Sequence, residues 1–457
     1  MRPGAEALDG RNTDGRNQDL ASALADAEAR YVARNPESAR AHALAVKEMP
    51  GGNTRTTVHF SPFPLCMARA EGPVLVDVDG HRYADFVNEY TAGVFGHSNP
   101  VIAEAIRQAL ADGIAFGAPN RHEPLLAAEI RRRFPSMELV RFCNSGTEAN
   151  LLALAACRAV TGKPAVMVFD GAYHGSMLYF GHGVSPMNPP IPWVVSTYND
   201  LQRAEEDLAR NADRLAAVVV EPMQGGAGAI PADPGFLRGL RAACDRHGVT
   251  LIFDEVMTSR LGPSGVQGLH GIRPDMTTLG KYVCGGLSSG AFGGRAEIMS
   301  RFDPRAPNAL SHGGTFNNNV LGMAAGQAAL TRVLTPERQD RMNRLGDGLR
   351  ERLNAMAAKR GLPVRATGMG SIFGLHFHEG AIRNAGDLEA AEHGRETAIA
   401  GLKALFHLDM LEQGHYLSRR ILGNLSLETT EAQLDALCAA VEEFLETRGP
   451  LIRAAVS

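Results

Sequence analysis

Three short stretches carry residue types that together can run chemistry on an amine. The first is Asn144-Ser145-Gly146-Thr147-Glu148-Ala149-Asn150, where an apolar run stops and a helical pattern begins. The free N–H groups and dipole of a helix start favour an anion, and nearby hydroxyls add donors. Ser145, Gly146 and Thr147 can therefore hold a phosphate, although an ordinary N-cap at Thr147 with a glycine turn leaves the same trace. The second stretch is Phe253-Asp254-Glu255-Val256, at the end of another apolar run. A carboxylate there costs desolvation energy unless it meets a cation. A protonated pyridine nitrogen is such a cation, and a ring held protonated is an electron sink. Capping a loop is the plainer duty for Asp254, and Glu255 faces the other way on an extended strand. The third is Lys281, in Thr278-Leu279-Gly280-Lys281-Tyr282, where apolar and glycine neighbours solvate an ammonium poorly. A buried amine with lowered pKa suits imine formation and later proton transfer. Each stretch alone has a bland explanation. All of them in this order, at the ends of strand-like runs, form a pattern.

Further segments could complete a site. Gly171-Ala172-Tyr173-His174-Gly175 follows the apolar run 165–169, and an aromatic ring there can stack on a flat cofactor or merely close a loop. Glu221-Pro222-Met223-Gln224-Gly225 follows the run 216–220 and offers a carboxylate and an amide. Gly313-Gly314-Thr315-Phe316-Asn317-Asn318-Asn319 is a polar loop whose Thr315 hydroxyl can meet a phosphate.

The elements that must position these residues are legible as a pattern. From about 100 to 300, short β-rich runs (140–143, 165–169, 216–220, 250–253) alternate with helical sequence. Such alternation predicts a mostly parallel sheet covered by helices on both faces, with ligands beyond the carboxyl ends of its strands. Residues 1–18 contain a short echo, Asp9-Gly10-Arg11-Asn12 and Asp14-Gly15-Arg16-Asn17, and are expected to be a mobile tail. An amphipathic helix is expected over 19–34, a turn over 50–55, and a hairpin through Val74–Val78 and Asp79-Gly80. After about 325 the pattern shifts to long helices, 338–359 and 431–448, around a few strands. The expected division is a tail (1–18), an N-terminal segment joining a small domain (19–75), a large cofactor domain (76–325) and a small C-terminal α/β domain (326–457).

Composition bounds the possibilities. A chain of 457 residues with 44% hydrophobic content suits two domains with a large core. A net charge of -4 leaves no electrostatic footprint for nucleic acid or an anionic membrane. No apolar run reaches the roughly 18 residues of a membrane span, and the N-terminus lacks the apolar core of a secretory signal. Cys66, Cys143, Cys157, Cys244, Cys284 and Cys438 lie far apart without a CxxC pair. Neither a disulfide framework nor a metal site is expected, and a reducing cytoplasm fits.

Taken together, the motifs resemble the class III (subgroup II) aminotransferases, the fold-type I family that includes glutamate-1-semialdehyde aminomutase. The resemblance runs from about residue 45 to 450. It rests on NSGTEAN at 144–150, GAYHG at 171–175, EPMQG at 221–225, FDEVMTSR at 253–260, LGK at 279–281 and GTFNNN at 314–319. It implies an α/β protein of the pyridoxal-5′-phosphate (PLP) transferase fold, with a seven-stranded type of sheet in the large domain. Lys281 would be the Schiff-base lysine and Asp254 the partner of the pyridine nitrogen. Ser145, Gly146 and Thr147 would hold the phosphate, with Thr315 reaching it from the neighbouring subunit of a homodimer. Tyr173 would stack on one ring face and Val256 on the other, while His174, Glu221 and Gln224 complete the cofactor contacts.

Beyond the shared motifs, MPGGNTR at 49–55, FSPFPL at 60–65, NEYTAGVFGHS at 88–98 and SGTEANLLAL at 145–154 are similar to the β-amino acid aminotransferases. Members of that branch act on substrates such as β-phenylalanine with keto acids such as 2-oxoglutarate. There an arginine aligned with Arg55 binds the β-amino acid carboxylate, the bidentate role that suits a guanidinium. Another, aligned best with Arg420, receives the keto acid's α-carboxylate. Leu417-Ser418-Arg419-Arg420-Ile421 departs from the branch by an extra arginine and no following glycine, which leaves Arg419 and Arg420 both open. The rival readings are a glutamate-1-semialdehyde 2,1-aminomutase, a PLP racemase or decarboxylase using the same Lys281 and Asp254, and a non-catalytic binding protein. Asn317-Asn318-Asn319, where the aminomutases carry a Ser-Gly-Asn type of sequence, speaks mildly against the first.

Overall fold

Short apolar runs bounded by glycines and acids become strands here, and a computed structural model describes residues 19–456. The expected tail, 1–18, lies outside the described residues. β1 (Met67–Glu71), β2 (Val74–Asp77) and β3 (Arg82–Asp85) form an antiparallel meander that turns through Asp79-Gly80 as predicted. Next come β4 (Leu139–Cys143), β5 (Ala165–Phe169), β6 (Trp193–Ser196) and β7 (Leu215–Val220). A short ribbon, β8 (Met223–Gln224) and β9 (Ile230–Pro231), precedes β10 (Thr250–Asp254), β11 (Met276–Gly280) and β12 (Gly290–Gly294).

Seven of these strands make one sheet in the order β4-β12-β11-β10-β7-β5-β6. β12 alone runs antiparallel to its neighbours. A parallel sheet covered on both faces needs apolar residues at every position, and β5, β7 and β11 are buried throughout. The two-residue period sorts them by face. Val166 and Val168 pack with Ala149, Ala153 and Cys157 of the helix Gly146–Thr161. Ala165, Met167 and Phe169 pack with Ala204 and Leu208 of Leu201–Asn211, and with Phe236 and Leu240 of Pro234–His247.

β13 (Val364–Met369), β14 (Ile372–Phe377), β15 (His415–Tyr416) and β16 (Leu422–Asn424) complete the strands. β13, β14 and β16 form a three-stranded antiparallel sheet among the helices Pro336–Lys359, Glu396–Glu412 and Glu431–Val456. β15 instead adds parallel to β3, so N-terminal and C-terminal segments share a four-stranded sheet. They share a core as well, with Tyr31, Phe60 and Tyr83 clustered with Leu405, Phe406 and Phe444. The helix expected over 19–34 is Leu20–Arg34, begun by the Asp19 carboxylate accepting the Ser22 N–H. The last helix overruns its expected end at 448 and continues through Pro450 to Val456. The proline costs a backbone hydrogen bond, and burial of Leu451, Ile452, Ala455 and Val456 offsets it. Among the described residues no helix is long and apolar enough to cross a membrane.

Candidate active site

β4, β7, β10 and β11 end on one edge of the large sheet. Ser145, Glu221, Asp254 and Lys281 stand at or just past those ends, and Tyr173 and His174 follow β5. β12 starts from the same edge, and Leu287, Ser288 and Ser289 ahead of it close part of the wall. The result is an open cavity of about 600 Å³. Its lining brings together Ser145, Gly146, Thr147, Tyr173, His174, Glu221, Asp254, Val256, Lys281 and Arg55.

Ser145, not Thr147, caps the helix Gly146–Thr161. Its backbone is extended, as a cap requires, and its hydroxyl accepts the Glu148 N–H at 3.1 Å. Thr147 already lies inside the first turn, so its hydroxyl is released from capping and faces the cavity. Two glycines permit this packing. A Cβ on Gly146 would lie 2.8 Å from Val256 Cγ1, and one on Gly175 (φ +121°) would lie 2.3 Å from Thr147 Oγ1. The helix start is thus drawn against Val256 and the 171–175 loop.

Asp254 is almost fully buried. Its Oδ2 accepts from Asn150 Nδ2 and from His174 Nδ1, both at 2.8 Å, and its Oδ1 from the Val256 N–H at 3.0 Å. Burial disfavours the His174 imidazolium, but the Asp254 hydrogen bond and charge outweigh this and raise its pKa above the ordinary value. Glu255 faces the opposite way, as the strand period requires, and accepts from the Val266 and Gln267 N–H groups and the Thr258 hydroxyl. Glu221 accepts the Tyr173 N–H at 2.9 Å and the Gly225 N–H at 3.2 Å, and burial pushes its pKa up to about 7.

Burial pushes the Lys281 amine below its ordinary pKa, and the nearby Asp254 charge opposes this. Its backbone is left-handed at φ +59°. For a residue with a side chain such a conformation costs about 1–3 kcal/mol and concentrates at functional sites.

Arg55 reaches the same cavity and forms an ion pair with Glu89. Glu89 belongs to a left-handed turn, Asn88 to Thr91, in which all four residues have positive φ and none is glycine. Three anchors hold the turn. Asn88 Nδ2 donates to the Asn424 carbonyl at 2.7 Å, the Tyr90 hydroxyl to the Thr57 carbonyl at 2.8 Å, and Arg260 to the Thr91 carbonyl at 3.1 Å. Arg260 is wholly buried, which lowers its pKa to about 9.

Some predicted residues lie elsewhere. Gln224 is buried and not on the wall of the Lys281 cavity, its Nε2 donating to the Asp170 carbonyl at 2.7 Å. Arg420 does not line the Lys281 cavity. Both Arg419 and Arg420 line an adjoining one of about 420 Å³, which shares Gly226 with the first and continues from Arg55 through Thr56 and Thr57. Thr315 is exposed in its loop and is not on this chain's own cavity wall. Sequence reasoning missed Glu89 and Asn150 as site residues. Asn150 was discoverable, since it lies one helical turn after Gly146 and so on the same face. Glu89 was not, because a left-handed run without glycine leaves no local signal.

A helix start with open donors, a buried carboxylate, an amine of depressed pKa and an aromatic ring converge on one cavity. These groups match the phosphate, ring nitrogen, carbonyl and flat face of PLP. The profile of the class-III aminotransferases matches residues 56–411. The chain is 47% identical over 430 residues to the β-phenylalanine transaminase of Variovorax paradoxus, covering 94% of this chain and 97% of that protein. The crystal structure of the β-phenylalanine aminotransferase from that organism superposes with TM-score 0.91, at 46% identity over 94% of this chain and 98% of that one. An ω-transaminase from Sphaerobacter thermophilus gives TM-score 0.84 at 38% identity, over 91% and 99% of the two chains. A glutamate-1-semialdehyde aminomutase from Pseudomonas aeruginosa gives 0.85 at 28%, over 94% and 98%. With fold, site and relatives in agreement, the chain belongs to the class-III aminotransferases and is a PLP-dependent transaminase acting on amino and keto acids.

Proposed function

We propose that this transaminase moves the amino group of a β-amino acid, aromatic as in β-phenylalanine, to a keto acid such as 2-oxoglutarate. The observation that carries this reading is Arg55 in one cavity with Lys281, supported by a relative of nearly full coverage that bears that activity in its name. Ser145, Gly146 and Thr147 would take the cofactor phosphate, Asp254 the ring nitrogen, and Tyr173 and Val256 the ring faces. His174 would hold Asp254 in place, and Glu221 would fix the Tyr173 loop. PLP supplies a carbonyl for amine exchange and a ring that accepts carbanion charge. Arg55 would orient the substrate by its carboxylate. Lys281, released from the cofactor and with its ammonium disfavoured by burial, would move the proton at the amine-bearing carbon.

The test is a half-reaction on cofactor-loaded protein. β-Phenylalanine alone should bleach the near-visible band of the lysine-bound cofactor, and 2-oxoglutarate should restore it. A response only to an amino aldehyde, with no keto acid needed, would make the protein an aminomutase. Arg55→Ala should raise the KM for β-phenylalanine about 30- to 150-fold, the worth of a charge-assisted hydrogen-bond pair at about 2–3 kcal/mol. An unchanged KM would remove Arg55 from the site.

We further propose a homodimer in which Thr315 reaches the partner's phosphate site. Ile114, Phe116 and Phe316 are large exposed apolar residues. Their loops are tied together by Asn318 Nδ2 donating to the Ala118 carbonyl at 3.1 Å and Asn120 Nδ2 to the Asn318 carbonyl at 2.8 Å. Such a patch marks a protein interface. Sedimentation equilibrium should return twice the chain mass, and a fully active monomer would overturn the arrangement. The domain division at about 75 and 325 also stands as a proposal, supported by Phe60 of the N-terminal segment packing on His407 of the helix Glu396–Glu412; limited proteolysis tests it. A cytoplasmic location suits the six unpaired cysteines, and cell fractionation tests that.

A further inference from the structure

Glu89 enters the Lys281 cavity on a turn that is pinned at both ends. The Asp85 carboxylate fixes the entry: its Oδ1 accepts the Val87 and Asn88 N–H groups at 2.8 and 2.9 Å, and its Oδ2 meets His97 Nε2 at 2.8 Å. At the exit the Gly93 N–H donates to the Asn88 carbonyl at 2.8 Å, and a Cβ on Gly93 would lie 2.9 Å from that oxygen. Glu89 itself is left-handed at φ +52°, a region that Gly, Asn and Asp populate far more readily than Glu. Strain of this kind persists only where the surroundings enforce it, and it gathers at ligand clamps.

The carboxylate so delivered has a single partner. Among the described residues, the Glu89 carboxylate pairs only with the Arg55 guanidinium, and the guanidinium only with Glu89. The contact uses Arg55 Nη1 alone, so the other donors of this five-donor group stay unpaired. Both side chains are about half exposed, 53% and 54%. An ion pair this wet is weak and exchanges readily. It lies on the wall that also carries Lys281 and the Ser145–Thr147 helix start.

We propose that Glu89 is the resident counter-ion of Arg55, holding the guanidinium between substrates and competing with each carboxylate that enters. The inference rests on the assignment of Arg55 to the substrate carboxylate. An incoming carboxylate must take Arg55 from Glu89 or stand beside it as a like charge, and either loosens its hold. A transaminase must also release a keto acid before its second half-reaction, and Glu89 recaptures Arg55 as that product leaves. Tight binding of every carboxylate would lower KM without raising kcat. The competition therefore favours turnover over retention.

The probe is 3-phenylpropionate, which has the ring and carboxylate of β-phenylalanine but no amine to react. It is titrated by calorimetry into the cofactor-loaded protein, beside its uncharged amide. Glu89→Gln should bind 3-phenylpropionate about two- to fivefold more tightly than the wild type, the worth of an exposed ion pair, and bind the amide as before. In an Arg55→Ala background the same substitution should give no gain, because the carboxylate is no longer drawn beside Glu89. Glu89→Asn, which suits a left-handed backbone, repeats the test if the Gln variant folds poorly. No gain for 3-phenylpropionate, or an equal gain for the amide, overturns the proposal. If Arg55→Ala alone leaves 3-phenylpropionate binding as in the wild type, the Arg55 assignment falls instead and takes the exchange with it.

Discussion

Lys281→Ala folds and loses transaminase turnover. The variant lacks the amine that carries the cofactor and the base that moves the substrate proton. The second role alone is worth about 10²–10⁴ in rate, and the first is not replaced by any other lysine on the cavity wall. The near-visible band of the lysine-bound cofactor disappears with it. Stability is not sacrificed, because burial already disfavours the Lys281 ammonium, and the left-handed backbone is no worse for alanine than for lysine. The check is the absorbance spectrum and melting curve of the purified variant beside its activity. Turnover at the wild-type rate would end the assignment of Lys281.

Asp254→Asn should cost about 10³ in kcat with little change in the β-amino acid KM. The amide is the same size, and its one oxygen can keep the Val256 N–H, which turns its NH2 towards Asn150 and His174 in place of the acceptor they had. What vanishes is the charge aimed at the cofactor ring, and removing one such electrostatic partner costs about 10²–10³. A further signature separates this from damage to packing. His174 loses the Asp254 hydrogen bond and charge that raise its pKa, leaving burial opposed only by the Glu221 charge, so its imidazole should titrate lower than in the wild type by NMR. A kcat within tenfold of wild type, or a His174 that titrates as before, would count against Asp254 as the ring partner.

Much of this site could be read from local sequence because parallel strands report their own geometry. Continuous apolar runs fixed the strands, and the polar residue at each run's end fell on the carboxyl edge where ligands bind. The two-residue period separates Asp254 from Glu255 in the sequence itself, and the Glu255 hydrogen bonds to the 266–267 backbone agree. What stayed illegible depends on long-range packing. Ser145 rather than Thr147 became the cap because the chain is still extended at 145. Glu89 meets Arg55 only because Asn424 and Arg260, far away in sequence, stabilise its left-handed turn. The extra arginine at 419 raised a question that local pattern could not answer, and the strained Ile421 beside it resolves into a turn that displays both arginines.

The parallel addition of β15 to β3 also bears on how the chain is made. Ala84 and Asp85 find their partners His415 and Tyr416 only after about 330 further residues have been synthesised. At about 5–20 residues per second, a ribosome needs roughly 15–70 seconds to supply them. For that interval the outer edge of β3 stands open on the nascent chain, an unpaired template of the kind that invites misassociation. Its few residues and its Arg82 keep that edge short and charged while the chain waits.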